Sequence, residues 1–198
     1  MAKTLLELAG ADLTPPKLAD TVLIVIDAQR EYVDGSLALP GAPAALEKIA
    51  SLLAKARSAG TPVIHVKHKG KAGGLFDPAT QAFELADEAA AGTGETIIEK
   101  GLPNAFAGTG LHDALAAIGR KRLVLAGFMT HMCISSTARA ALDLGYQTTI
   151  AADACATRDL PIPGAEGEVL TADDLHRSEL AMLADRFAII CPTDALVG

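Results

Sequence analysis

The sequence contains no tryptophan, and only two tyrosines and five phenylalanines among its 198 residues. A hydrophobic core must therefore be packed from Ala, Leu, Ile and Val. Half of the residues are hydrophobic, which excludes an intrinsically disordered chain. Basic residues are also in deficit, 17 against 24 acidic ones for a net charge of -7, so the electrostatic footprint of a nucleic-acid partner is missing. No apolar run approaches the roughly 18 residues that span a bilayer, and no membrane partner is expected. The opening stretch MAKTLLELAGADLTPP is broken by Glu7 and Asp12 and does not read as a signal peptide. Cysteine is scarce as well. Cys133, Cys155 and Cys191 form no C-x-x-C pair, no zinc spacing and, being odd in number, no evident disulfide framework. A reducing cytoplasm is the expected setting, in which one of the three is a candidate nucleophile.

The length fits one domain over residues 1–198, with 1–20 as an N-terminal arm. Branched apolar runs predict strands over 22–26, 62–67, 95–99, 122–126, 148–152 and 188–191. Helical periodicity predicts helices over 44–58, 111–118, 135–144 and 172–185, three of them closed by Gly60, Gly119 and Gly145 and the last opened by Thr171 with Asp174. Strands alternating with helices imply an α/β fold with a parallel sheet covered on both faces. The unbroken runs VLIVI and LVLA agree, because a strand buried on both sides need not alternate. Two irregular stretches, 69–94 with a short helix around 81–90 and 153–168, are candidates for loops that shape a pocket.

In an open parallel sheet, ligands bind beyond the carboxyl ends of the strands. Asp27 follows VLIVI, Lys100 follows TIIE, and Cys133 lies just past LVLAG and before a helix. A thiol at a helix N-terminus, with an ammonium nearby, is expected to be stabilised as thiolate. Asp27 can take and return a proton. The turn GFMTHMC can offer the amides of Met129 and Cys133 to a carbonyl oxygen as an oxyanion hole. Each residue has a plainer reading: Asp27 as a turn or cap, Lys100 as a solvated loop residue, a cysteine as a small core side chain.

The surrounding segments decide between these readings. VLIVIDAQREYVDG around Asp27, IIEKGLPNAFAGTGL around Lys100 and LVLAGFMTHMCISSTARAALDLGYQTTIAADACATRD around Cys133 resemble the isochorismatase-like cysteine hydrolases, in family order, over about residues 21–193. The resemblance implies an Asp27–Lys100–Cys133 triad and a non-proline cis peptide upstream of the cysteine, at Phe128–Met129. It also implies a Rossmann-like three-layer αβα fold with about six strands in the order 3-2-1-4-5-6, a homo-oligomer, and a small-molecule substrate hydrolysed at an amide, ureide or carbamoyl carbon without a cofactor. Gln29 in DAQ matches the family pattern and could hold Asp27 or substrate. Tyr32, Phe106, Phe128 and Thr130 are the further candidates for substrate contact.

The chain departs from the family's metal-binding members. Nicotinamidases carry an Asp and two His as metal ligands after the second strand, whereas VIHVKHKGKAGG has only His65 and His68, on opposite strand faces, so no metal is expected. Arg30, Lys67, Lys69 and Lys71 are candidates for pairing with a substrate carboxylate. Cys155 and Cys191 read as structural, and neither His131 nor His176 as catalytic. GTGETIIEK lacks the spacing of a phosphate loop. Two alternatives stay open: an isochorismatase-type vinyl-ether hydrolase, which would not need the thiol, and a redox-responsive or non-catalytic binding module on the same fold.

Overall fold

The computed structural model describes residues 2–198. Six strands form one sheet: β1 (Thr21–Ile26), β2 (Val63–His68), β3 (Thr96–Lys100), β4 (Arg122–Phe128), β5 (Gln147–Ala156) and β6 (Ala188–Cys191). They pair in parallel in the order β3-β2-β1-β4-β5-β6, the expected Rossmann-like pattern. The strand order reverses between β1 and β4, and a crevice at their carboxyl ends follows from that reversal.

Alternation within β1 explains its unbroken apolar sequence. Leu23 and Val25 enter the core beneath α2 (Ala42–Ser58). Val22, Ile24 and Ile26 enter the opposite core, built with α3 (Leu111–Ile118), α4 (Ser135–Asp143) and α5 (Ala172–Arg186). Both cores are aliphatic, as the shortage of aromatics requires, and each fully buried Leu or Ile contributes about 1.5–3 kcal/mol. A short helix, α1 (Leu5–Leu8), is held against α5 by a hydrogen bond from the Leu5 amide to Asp185. Helix ends follow the local chemistry. Thr171 accepts from the Asp174 amide to start α5, and Gly60, Gly119 and Gly145 all adopt the left-handed conformation that closes α2, α3 and α4.

The irregular stretch after β2 corrects one expectation. Instead of a helix around 81–90, two single 3₁₀ turns, Gln81–Phe83 and Asp87–Ala89, are tied to the chain beyond β1 by Arg30 N–H to Glu84 O and Ala86 N–H to Ala28 O. The buried Glu31 carboxylate also accepts the amides of Ser36, Leu37 and Phe76, so one acid fixes two loops over the sheet edge. The stretch after β5 forms a small antiparallel ribbon, Leu160–Pro161 with Val169–Leu170. A groove of about 950 Å³, lined in part by Thr14, Pro15, Arg122, Tyr146 and Phe187, lies at the amino ends of the strands, on the edge opposite Cys133.

Candidate active site

Asp27, Lys100 and Cys133 meet at the carboxyl edge, brought there by β1, β3 and the turn after β4. Asp27 is the first residue beyond β1 and is anchored by its amide to Val66 O at 2.8 Å. Its φ of 52° lies in the left-handed region, which a side chain with a Cβ seldom occupies outside strained or functional positions. Beside it, Gly127 is the register partner of Ile26, and a Cβ there would stand 1.9 Å from Ile26 O. Only glycine allows β4 to close on β1 at this level. The chain then passes through the cis peptide Phe128–Met129, as expected, into a π-type turn, Thr130–Ile134, that carries Cys133.

Lys100 Nζ donates to Asp27 Oδ2 at 2.6 Å and to Cys133 Sγ at 3.2 Å. Neither the Asp27 nor the Lys100 side chain is exposed, and Cys133 retains 4% of its surface. Asp27 Oδ1 is buried without a hydrogen-bond partner, while the Asp27 carboxylate and the Cys133 thiol lie close enough to perturb each other's ionisation. Burial raises the Asp27 pKa, with the Lys100 charge opposing it. For Cys133, burial and then the Asp27 charge push the thiol up to about 12, against the pull of Lys100. This corrects the expectation of a preformed thiolate. The thiol sits in the turn ahead of α4, and burial is the largest influence on its ionisation. The resting site thus pairs a protonated thiol with an uncommitted carboxylate oxygen.

The other predicted residues divide. Tyr32 is buried at the site, edge-on to Phe76 at 5.1 Å and to Phe128 at 5.7 Å, and burial with the charges of Asp27 and Cys133 raises its phenol pKa. Phe128 is fully enclosed behind it, and Met129 retains 6% exposure. Gln29 does not reach Asp27 or the crevice. Its amide nitrogen donates to His68 O and Phe83 O, and its oxygen accepts from the His68 amide, so both ends are spent on backbone. Thr130 is fully buried with its hydroxyl paired to His176 Nδ1 at 2.8 Å, which withdraws it from substrate contact. Phe106 is no wall of this site: it stacks on Tyr146 at 5.9 Å, on the α4 side of the sheet. Among the basic candidates, Arg30 pairs with Asp34, Lys67 with Glu84 and Lys69 with Glu99, while Lys71 is exposed in its loop. His65 is buried and bound to Glu95 at 2.8 Å, whereas His68 faces Lys100.

Two residues were not foreseen at the site: His68, weighed in the sequence only as a metal ligand, and Arg158. His68 ends β2 in register with Lys100 and lies 3.2 Å from its ammonium through Nδ1. Arg158 stands just past β5 with no acidic partner among the described residues and with its Nε buried and unpaired. Its charge bears on the Tyr32 phenol and the His131 ring. The signal for both was position beyond a strand end. It was lost for Arg158 because β5 runs to Ala156, four residues past the predicted end at 152.

Residues 21–195 match the isochorismatase domain family. The crystal structure of an isochorismatase from Pseudomonas putida KT2440 superimposes with a TM-score of 0.94 at 43% identity, covering 100% of both chains. A secreted isochorismatase effector of Verticillium dahliae is 39% identical over 89% of this chain and 91% of its own length. A streptothricin hydrolase of Streptomyces noursei is 34% identical over 85% of this chain and 61% of its own.

Proposed function

The chain belongs to the isochorismatase family, and from that premise we propose that it hydrolyses a small amide, ureide or carbamoyl compound through a thioester on Cys133. The observation that carries this reading is the Lys100 ammonium between Asp27 Oδ2 and Cys133 Sγ, with Asp27 Oδ1 buried and without a hydrogen-bond partner. Asp27 takes the thiol proton as sulfur bonds to the substrate carbonyl carbon. The tetrahedral oxyanion is received by the amides of Met129 and Cys133. The C–N bond breaks, and Asp27 passes the proton to the departing nitrogen. Water, losing a proton to Asp27, then adds to the thioester carbon. The C–S bond breaks, the acid product leaves, and the proton returns to sulfur.

Lys100 supports both halves of this cycle by offsetting the charge that moves between carboxylate and sulfur. Its pairing with Asp27 is fully buried, and such a pair does not gain enough Coulomb energy over its desolvation cost to be kept for stability alone. Arg158, just past the carboxyl end of β5 and without an acidic partner among the described residues, supports a substrate bearing a carboxylate. The raised thiol pKa speaks against the redox-responsive alternative, since peroxide sensing needs a thiolate. Three free, buried cysteines are in keeping with a reducing cytoplasm. A panel of small amides, ureides and carbamoyl acids tests the reading against Cys133→Ala. Turnover is expected to fall by at least about 10³-fold. Undiminished turnover of the panel in the variant would overturn the thioester; activity confined to a vinyl ether, equal in the parent and in Cys133→Ala, would identify the vinyl-ether alternative, which does not use the thiol.

A further inference from the structure

The Lys100 ammonium has three hydrogens and faces three acceptors: Asp27 Oδ2 at 2.6 Å, Cys133 Sγ at 3.2 Å and His68 Nδ1 at 3.2 Å. An ammonium offers no lone pair. His68 Nδ1 must therefore accept, and in the neutral ring the proton sits on Nε2. The rest of the residue is fixed in place. The Gln29 side chain receives the His68 amide at 2.7 Å and donates to the His68 carbonyl at 3.0 Å, and Phe76 meets the imidazole edge-on at 5.1 Å. His68 is half-buried, and its ring is hydrogen-bonded among the described residues through Nδ1 alone. Burial and the neighbouring Lys100 charge lower its pKa to about 4, in keeping with a neutral ring.

We infer that His68 is a substrate-binding residue whose immobilised, uncharged Nε2–H donates a hydrogen bond to an acceptor oxygen of the substrate beyond the scissile carbonyl. Such an oxygen is the second carbonyl of an imide or the carboxylate of a carbamoyl acid. The inference rests on the reading of Cys133 as the reacting centre. Within it, Gln29 becomes a positioning residue. It never touches substrate but sets the place of the one imidazole that does, which gives a physical use to a buried amide that spends both ends on backbone.

Nitrogen-15 spectra of the histidine rings in the full-length protein, assigned with His68→Leu, test the tautomer without any turnover. A protonated Nε2 and bare Nδ1 are expected from pH 6 to 9; a proton on Nδ1, or a charged ring, overturns the inference. N-carbamoylglycine, titrated against Cys133→Ala so that it binds without reacting, is expected to shift the His68 Nε2–H resonance. His68→Leu added to Cys133→Ala should weaken that binding by about tenfold, and His68→Gln, which retains a donor, should recover part of it. Absence of saturable binding, or affinity unchanged by leucine in a protein with an unaltered melting temperature, counts against the role. Turnover that survives in Cys133→Ala would refute the proposed reaction while leaving the tautomer result standing.

Discussion

Cys133 combines a buried thiol with a base that has one oxygen to spare, and that combination makes its reactivity depend on what enters the site. Its ionisation is pushed up to about 12 by burial first and the Asp27 charge second. Because the folded value lies above the ordinary thiol range of about 8.5, only a small thiolate fraction exists at neutral pH in the absence of substrate. The second-order rate of alkylation by iodoacetamide is therefore expected to climb by nearly tenfold per pH unit between pH 7 and 10. A rate that is already on a plateau at pH 7 would show a preformed thiolate and contradict this picture. The helix-end argument that suggests such a thiolate from sequence omits desolvation, a quantity set by how tightly Tyr32, Phe128 and the neighbouring loops enclose the sulfur.

The elements around the site differ in how they are held. Strand β3 is the exposed edge of the sheet, yet it must present Lys100 to the interior. The start of this edge is secured by Glu95, which binds Arg57 of α2 through two hydrogen bonds of 2.8 and 2.9 Å, the buried His65 of β2 at 2.8 Å and the Gly92 amide at 2.6 Å. Arg57 first, then the Gly92 amide and His65, lower the Glu95 pKa to about 2 against the opposing effect of burial. A folded value below the unfolded one of about 4.3 means that the contribution is complete above that pH and disappears as the pH falls toward about 2. Glu95→Gln should destabilise the protein by about 1–3 kcal/mol at pH 7, with the difference from the parent shrinking below pH 4 in urea titrations. An equal loss at pH 7 and pH 3 would assign the effect to packing.

The elements also show where the sequence was readable. The unbroken apolar strand β1 and the helices α3 and α5, with Gly119 closing one and Thr171 opening the other, stand within a residue or so of their predicted limits, and the sheet order is the one the family resemblance implies. The rule that chemistry gathers at strand ends located Asp27, Lys100 and Cys133. Gln29, Phe106 and Thr130 could not be resolved in this way, because contact with a crevice depends on side-chain direction. Gln29 and Thr130 turn toward backbone and His176, and Phe106 turns toward Tyr146. The stretch after β2 is irregular as expected, but the short helix expected around 81–90 gives way to two turns because the order there comes from distant partners, Ala28, Arg30 and Glu31, which no local periodicity reveals.

For the molecule as a whole, the net charge of -7 leaves an anionic substrate without help from the overall field, so recognition must be local. Arg158 and His68 are the groups placed to supply it. No helix among the described residues is long and apolar enough to cross a membrane. Association of copies is expected at the β3 edge, where Ile97 is 51% and Leu102 56% exposed. Light scattering at micromolar concentration should return a multiple of the chain mass, and a monomer would contradict it. The central claim, a covalent bond from substrate to Cys133, is tested most directly by rapid acid quench and intact mass of the protein during turnover of an amide or carbamoyl substrate. A mass increase equal to the acyl group, mapped to Cys133 and absent in Cys133→Ala, is the predicted result. Steady turnover with the protein mass unchanged at every quench time, and the same rate in the alanine variant, would contradict it.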